Sequence, residues 1–397
     1  MGNSSTSHVN HRTPCVLVVG QTPPPYHGQA MMIQYLLDSD SKEINLLHVR
    51  MAYSDSMHEV GRLQWRKIWH LLALIFRIAY MRVTQPVDIL YYPPAGPNRV
   101  PFYRDVITLL CTRWMFRHTV FHFQAAGLSE LFAKLTPCER LLGRWAYSRP
   151  SAGIRLSNLA TDDVAFVQAR LQFVIPNAAP DEALRFSSAV QSRAENSSGP
   201  LRILYLGTVC ETKGILVLLN ACHQLKCRRI PFELEIVGSF QPRNFQQQVE
   251  DALLSLGIRQ QTQLRGQLIN DEKYNAFARA DVFCFPSYYE SECFPCVLVE
   301  AMSFSLPVVS TRWRGIPSII EQGVTGFLTD IRDVGETARW LQMLANQPEL
   351  RLQLGQAARQ KYLSSFTKGL YQREVARVFT TVVGNAKDTQ TSRVSSV

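Results

Sequence analysis

Short apolar runs alternate with longer amphipathic stretches along most of this chain. That is the pattern of strands and helices in βαβ order, which builds a parallel sheet. Cys15–Gly20, Val87–Tyr92, Thr119–Phe123, Ala152–Ser157 and Gln172–Ile175 read as strands, with a helix over Gln29–Leu37. The alternation restarts after residue 200. Leu201–Leu206, Phe232–Val237, Thr262–Leu264, Asp281–Phe285 and Pro307–Ser310 read as strands, and Lys213–Leu225 as a helix. Ala338–Leu344, Leu350–Leu363 and Tyr371–Val383 have helical spacing.

The predicted fold class is α/β, with two doubly wound, Rossmann-like domains facing each other across a cleft. The first domain is expected over 14–180 and the second over 201–366, with a helix at 367–385 returning to complete the first. The segment 181–200 is polar, rich in Ser and Ala, and ends in Ser-Ser-Gly-Pro; it reads as the interdomain linker. Residues 1–13 and 386–397 are polar and expected to be flexible. Ligands in such folds sit outside the carboxyl ends of the strands, which directs attention to the loops that follow them.

Composition narrows the class. A chain of 397 residues favours two domains over one or three. Apolar residues at 46% and charged residues at 19% exclude a disordered or fibrous chain. The net charge is +10, and it is uneven: between Arg50 and Arg155 there are 15 Lys and Arg against 6 Asp and Glu, and the rest is nearly neutral. A basic block of this kind suits an anionic partner, whether phosphate, nucleic acid or lipid surface.

The amino terminus lacks the apolar core of a signal peptide, and the nine cysteines are odd in number and scattered. The cytoplasm is the expected compartment. Cys293-x-x-Cys296 has no second ligand pair nearby, so no metal site is expected there. The apolar run Ile68–Tyr80, broken by His70 and Arg77, is too short for the roughly 20 residues that span a bilayer. The stretch Trp65–Arg82 mixes bulky apolar residues with cations. It reads equally as a core helix with basic ends and as an interfacial helix on an anionic bilayer.

The strongest chemical signal is the segment from Pro286 to Met302. It follows an apolar strand and opens a helix near Pro295, with Glu292 in the loop and Glu300 on the helix. A helix amino terminus offers unpaired N–H groups to a phosphate or to sugar oxygens, and a carboxylate accepts hydrogen bonds from sugar or ribose hydroxyls. Either Glu alone is ordinary; the whole string is not.

This segment resembles the Glu-x7-Glu motif of family 4 glycosyltransferases, also called glycosyl transferases group 1, a retaining family with the GT-B fold. The resemblance extends through Pro307–Ser310, Gly315-Ile316-Pro317 and Glu321-x-Gly323-x-x-Gly326-Phe327-Leu328, and back to Gly266 and Asp281-Val282-Phe283. It implies that Glu300 holds the nucleotide's ribose and that Glu292 contacts the donor sugar near the reacting carbon. Phe294, Pro295, Cys296 and Val297 would present backbone groups to sugar and phosphates, with Gly266, Gln267 and Leu268 bordering the base. Many members carry Gly where this chain has Cys293 and Pro295.

The loop Gly207–Gly214 carries Lys213, which the resemblance assigns to the donor diphosphate; Thr208 stands where the family commonly has Arg. In the first domain, Pro23-Pro24-Pro25-Tyr26-His27-Gly28 follows the first strand, and Gly28 permits close approach to a diphosphate or acceptor. It is neither a Gly-x-Gly-x-x-Gly fingerprint nor a Gly-Lys-Ser/Thr loop, so a dehydrogenase or P-loop NTPase is disfavoured. His122 and Gln124 share one face of a strand end, where the family often has a His; either is the acceptor-side candidate, His122 as an acid–base group. Tyr92–Arg99 is a second strand-end loop at the cleft.

The function expected is a retaining, metal-independent transferase moving a sugar from a UDP- or GDP-type donor to a lipid-linked or saccharide acceptor in cell-surface polysaccharide or glycolipid assembly. Glu292, Lys213 and His122 are the expected catalytic residues. No metal or other cofactor is expected, and no Asp-x-Asp motif stands where a metal-dependent transferase would place one. An anionic membrane surface is an expected partner. Nucleic acid is not, because no zinc knuckle, RRM aromatic signature or helix-turn-helix pattern is present. The alternatives are a nucleotide-sugar-binding relative with impaired catalysis, suggested by Thr208 and the altered loop, and a nucleic-acid-binding protein, suggested by the basic block alone.

Overall fold

A computed structural model describes residues 13–51, 65–195 and 199–394. Six parallel strands form the first sheet: β1 (Cys15–Gly20), β2 (Asn45–Arg50), β3 (Ile89–Tyr92), β4 (His118–Phe123), β5 (Ala152–Arg155) and β6 (Leu171–Val174). A second parallel sheet holds β7 (Leu201–Leu206), β8 (Phe232–Val237), β9 (Thr262–Gly266), β10 (Val282–Phe285), β11 (Val308–Thr311) and β12 (Gly326–Thr329). Their orders are β2-β1-β3-β4-β5-β6 and β12-β11-β10-β7-β8-β9. Strand order reverses between β1 and β3 in one sheet and between β7 and β10 in the other. Crevices open at such switch points, and the loops after β1, β7 and β10 are the ones that carry the sequence motifs.

The central strands are apolar throughout because helices cover both faces. On β1, Cys15, Leu17 and Val19 feed one core cluster while Val16 and Val18 feed the other, the period of two that pleating requires. Strand β2 escapes the sequence pattern because it is an edge strand in which only Val49 is buried. The short strand β12 hides inside a turn-rich motif.

Within the segment 181–200, residues 182–195 form regular structure. A 3-10 turn (Glu182–Phe186) and a helix (Ser187–Glu195) pack against the helix Asn270–Arg279 of the second domain. Buried Arg193 donates to the carbonyls of Phe277 and Phe304. Its polar composition marks a solvated surface and not a break in structure. The chain leaves the first domain at Ala179 and returns at Thr367, and these two crossings bond to each other through Ala179 N to Phe366 O and Lys368 N to Ala179 O.

The returning helix, Lys368–Val394, lays Tyr371, Val375, Phe379 and Val382 on the first sheet among Val16, Val18, Ile89 and Tyr91. It continues through residues 386–394, which the sequence pattern assigns to a flexible tail. Residues 1–12, most of the expected flexible amino terminus, and 395–397 lie outside the described residues. Among the described residues, no helix is long and apolar enough to cross a membrane.

Candidate active site

The loop between β10 and the helix Cys296–Ser303 is held in place before any side chain reaches outward. Tyr288 N donates to Thr212 O, Trp313 Nε1 to Tyr289 O, and Thr311 Oγ1 to Ser287 O. Gly214, at φ +80°, lies so close beneath this loop that a Cβ there would stand 2.0 Å from the Pro286 carbonyl oxygen. That approach explains the Gly after Lys213: only Gly suits both the dihedral and the space.

With the two loops locked together, Lys213 Nζ meets Glu292 Oε2 at 2.5 Å, and Ser287 Oγ donates to the same oxygen at 2.9 Å. Nothing among the described residues donates to Glu292 Oε1. Lys213 also lies over the Tyr289 ring, 4.5 Å from its centroid, where the ring face favours a cation. The pair is largely withdrawn from solvent, at 17% and 9% side-chain exposure. Glu300, on the first turns of the following helix, accepts from Lys273 Nζ through Oε1 at 2.8 Å. Burial acts to lower the Lys273 ammonium, but Glu300, Tyr274 and Cys296 together outweigh it and hold the group above its ordinary value. Lys273, on the helix Asn270–Arg279, belongs to no sequence motif. Tyr35 of the first domain feels Glu300 as well, its phenol pushed upward by burial and then by that carboxylate.

The helix Cys296–Ser303 begins one residue later than its Pro suggests: Pro295 is the N-cap, with extended ψ, and not the first helical residue. Opposite it, the helix Gly28–Leu37 begins at Gly28, capped by His27 Nδ1 on Ala30 N. A Cβ on Gly28 would lie 3.3 Å from Cys296 Sγ. Two helix amino termini therefore face each other across the interdomain cleft, and their dipoles favour negative charge between them. The Phe294 ring is buried against Phe366, and its carbonyl accepts from Asn177 Nδ2 of the first domain at 3.0 Å, so that backbone oxygen is already used. Val297 and Cys296 are half-buried at the helix start.

Around them, Gly207, Gly238 and Gly266 end β7, β8 and β9 in positive-φ conformations. Gly238 N donates to Gly266 O, and a Cβ on Gly238 would strike Gly207 O. This flat floor at the strand ends leaves Gly266 exposed, Leu268 and Thr208 half-exposed. Gly238 completes the set and has no sequence signal beyond a Gly after a strand. The Thr208 carbonyl accepts from Tyr205 Oη.

His122 sits elsewhere than expected. Its ring is fully buried, with Tyr91 Oη 2.7 Å from Nδ1 and Gln124 Nε2 donating to Nε2 at 3.1 Å. Burial pushes its pKa down to about 3. Both nitrogens are engaged, so His122 presents no base to the cleft. Gln124 is the partly exposed member of the pair, and its Oε1 has no donor among the described residues. Nearby, Arg314 of the second domain forms a two-pronged ion pair with Glu130 of the first, at 3.1 and 3.0 Å.

The Cys293 and Cys296 thiols are pushed up to about 12, chiefly by burial. Both are protonated thiols at neutral pH. Among the described residues, no group of three His, Cys, Asp or Glu side chains is arranged to hold a metal ion.

Residues 189–361 match the family described as glycosyl transferases group 1. The matched stretch is less than half of the chain. It includes Lys213, the loop after β10, Glu292 and Glu300. The amylovoran biosynthesis glycosyltransferase AmsK of Erwinia amylovora is 31% identical over 183 residues, covering 45% of this chain and 44% of that protein. A putative colanic acid biosynthesis glycosyltransferase of Salmonella typhimurium is 28% identical over 194 residues, covering 46% of each. The matches thus span about half the length of these relatives. The fold likeness is wider. HepE of Anabaena, solved in complex with UDP, superposes with a TM-score of 0.70 at 16% identity, covering 92% of this chain and 99% of that one. The two facing sheets form the GT-B fold.

Proposed function

We infer that this chain is a retaining glycosyltransferase of the group 1 family that needs no metal and takes a UDP- or GDP-type nucleotide-sugar as donor. The observation that carries this reading is the Lys213–Glu292 pair at the second domain's switch point, on the loop that leads into the helix start at Cys296, against which Gly28 of the first domain lies. The donor diphosphate lies between the two opposed helix starts, and Lys213 offsets the charge that builds on it as the sugar departs. Glu292, anchored through Oε2 by Lys213 and Ser287, offers Oε1 to the sugar's hydroxyls. Glu300 shares its carboxylate between Lys273 and the ribose. The base rests on the Gly207, Gly238 and Gly266 floor beside Leu268. The acceptor hydroxyl attacks from the face the phosphate leaves, and that phosphate takes its proton. No enzymatic nucleophile is required, and Gln124, held by His122, orients the acceptor.

The acceptor is lipid-linked or a saccharide, in cell-surface polysaccharide or glycolipid assembly. The named relatives belong to exopolysaccharide biosynthesis, which supports that class. The working site is the cytoplasmic face of a membrane with an anionic surface. A second reading, a nucleotide-sugar binder without turnover, is favoured by Thr208 and by the closed Lys213–Glu292 pair. Thermal-shift titration with UDP, GDP, ADP and their sugars tests donor binding, because binding to the folded state alone raises its stability. Transfer or donor hydrolysis by the wild type, lost in Glu292→Gln and Lys213→Ala, separates an enzyme from a binder. Unchanged rates in both variants would overturn the site.

A further inference from the structure

Glu292 and Glu300 are anchored in the same way. Glu292 receives Lys213 and Ser287 on Oε2, and Glu300 receives Lys273 on Oε1 at 2.8 Å. In each, the second carboxylate oxygen is left without a donor from the described residues. Lys273 is the one cation paired with Glu300 among them, and both side chains are largely withdrawn from solvent, at 20% and 12% exposure. An ion pair in bulk water contributes little and is loosely held; one sheltered to this degree keeps its geometry.

The frame behind Lys273 is rigid. Lys273 lies in the first turn of the helix Asn270–Arg279, which leaves β9 by the loop that carries Leu268. The Phe277 ring of that helix stacks on Phe304 at 5.6 Å, and the Tyr274 ring stacks on the same residue at 6.1 Å. Phe304 is the C-cap of the helix that bears Glu300. Arg193 donates to the carbonyls of both Phe277 and Phe304. Lys273 Nζ stands 4.8 Å from the Tyr274 ring centroid, where the ring face favours a cation. Stacked rings and a shared guanidinium already join the two helices. An ion pair added only to join them would have no use for an open Glu300 Oε2.

We propose that Lys273 is a positioning residue for ribose recognition: it fixes Glu300 through Oε1 so that Oε2 meets a ribose hydroxyl, and so makes the site select ribonucleotides over their deoxy forms. The inference rests on the donor reading above, in which Glu300 faces the ribose, and names the residue that sets its selectivity. A carboxylate with no partner turns about its last bond and has that freedom to lose when a ligand arrives. With one oxygen held, less is lost and the hydroxyl meets a preorganised acceptor. A hydroxyl bonded to an ionised group contributes more than a neutral pair does, and a ligand without it leaves that group unpaired. The segment that borders the base through Leu268 thereby also sets the carboxylate for the ribose, and both parts of the nucleoside are read from it.

The test is isothermal titration of the full chain with UDP, GDP and ADP, and with the 2′,3′-dideoxy form of whichever binds most tightly. The wild type should bind the ribonucleotide roughly 10- to 100-fold more tightly than the dideoxy form, the range for a hydrogen bond to a charged group. In Lys273→Met that ratio should fall to about threefold or less, while the dideoxy affinity stays within about a factor of two of the wild type's. Lys273→Arg, which keeps the cation, should recover most of the ratio. Lys273→Gln still offers an N–H toward Oε1 and keeps the comparison measurable if the Met variant does not fold; its ratio should fall as well. A wild type that does not discriminate, a wild-type ratio in the Met or Gln variant, or an equal loss of affinity for both ligand forms would overturn the proposal. So would a ratio that rises, since Lys273 would then be competing with the ribose. If no nucleoside diphosphate binds the wild type, the donor reading falls and this inference with it; if one binds and the ratio holds in the variants, only this inference falls.

Discussion

Lys213 Nζ and Glu292 Oε2 approach to 2.5 Å from loops 79 residues apart in sequence. Each loop ends a central strand of the second sheet, β7 or β10, which are neighbours. The pair is largely buried, so its two members depend on each other: removing one leaves a charge in a poorly solvated place. Lys213→Met and Glu292→Gln should each destabilise the fold, by up to about 3–5 kcal/mol for a fully buried pair. The double variant should cost clearly less than the sum. Urea unfolding of the four proteins measures the coupling; strict additivity would show that the pair carries no energy. Transfer should fall by about a hundredfold or more in all three variants, because the missing charge acts on the substrate and not only on the fold.

Two glycines of the site make a contrast. Gly214 at φ +80° has Pro286 O where a Cβ would go, whereas Gly266 at φ +67° has open space. Gly266→Ala should cost only the left-handed backbone penalty, about 1–2 kcal/mol. Gly214→Ala adds a clash with backbone that is itself pinned to Thr212, so its urea midpoint should drop several times further. Equal midpoints would mean that the loop after β10 is free to move away.

Thiol chemistry separates the Cys293-x-x-Cys296 pair from the exposed cysteines. Both thiols are pushed up to about 12 by burial, while Cys111, Cys138 and Cys227 are exposed. Brief alkylation of the native chain near neutral pH should label the exposed three and spare the pair, as read by peptide mass spectrometry. Rapid labelling of Cys293 or Cys296 would contradict the burial described. Bound nucleotide should not change the pattern at the exposed cysteines.

The legible parts of this molecule were those whose residue types are forced by local physics. Buried parallel strands such as Leu201–Leu206 and Phe232–Val237 must be apolar along their length, and the pattern predicts them with the bounds observed. Glu292, Glu300 and the Lys213-Gly214 step stand in a fixed frame of loop and helix start, so their spacing survives as a motif. Pairings made by tertiary approach left no trace. Lys273 is one Lys on a polar helix, Asn177 one Asn past a strand, and Gly238 one Gly among 21. The segment 181–200 misleads for a related reason: a surface helix and a linker share a polar composition, and only the burial of Arg193 distinguishes them. His122 illustrates the limit at a single residue. A His at a strand end facing a cleft and a His packed beneath it read alike in sequence.

The buried position of His122 has a consequence for stability. Its pKa falls from an ordinary 6.5 to about 3 because burial excludes the charged form. The native chain therefore keeps His122 neutral at a pH where the unfolded chain has protonated it. Below about 6.5 the unfolded state binds the extra proton, so stability rises with pH and is lost as pH falls, at a limiting slope of roughly 1.4 kcal/mol per unit from this residue. The loss is complete near pH 3. His27, His48 and His118 are lowered as well, mainly by burial, and add to the slope with the same sign. His122→Gln keeps a partner for Tyr91 and removes only the titration. Relative to the wild type it should gain about 2–3 kcal/mol between pH 7 and pH 4.5, whatever its cost at pH 7. Urea midpoints at the two pH values give the comparison. Parallel curves for the two proteins would mean that His122 is protonated in the native state, and therefore open to the cleft after all.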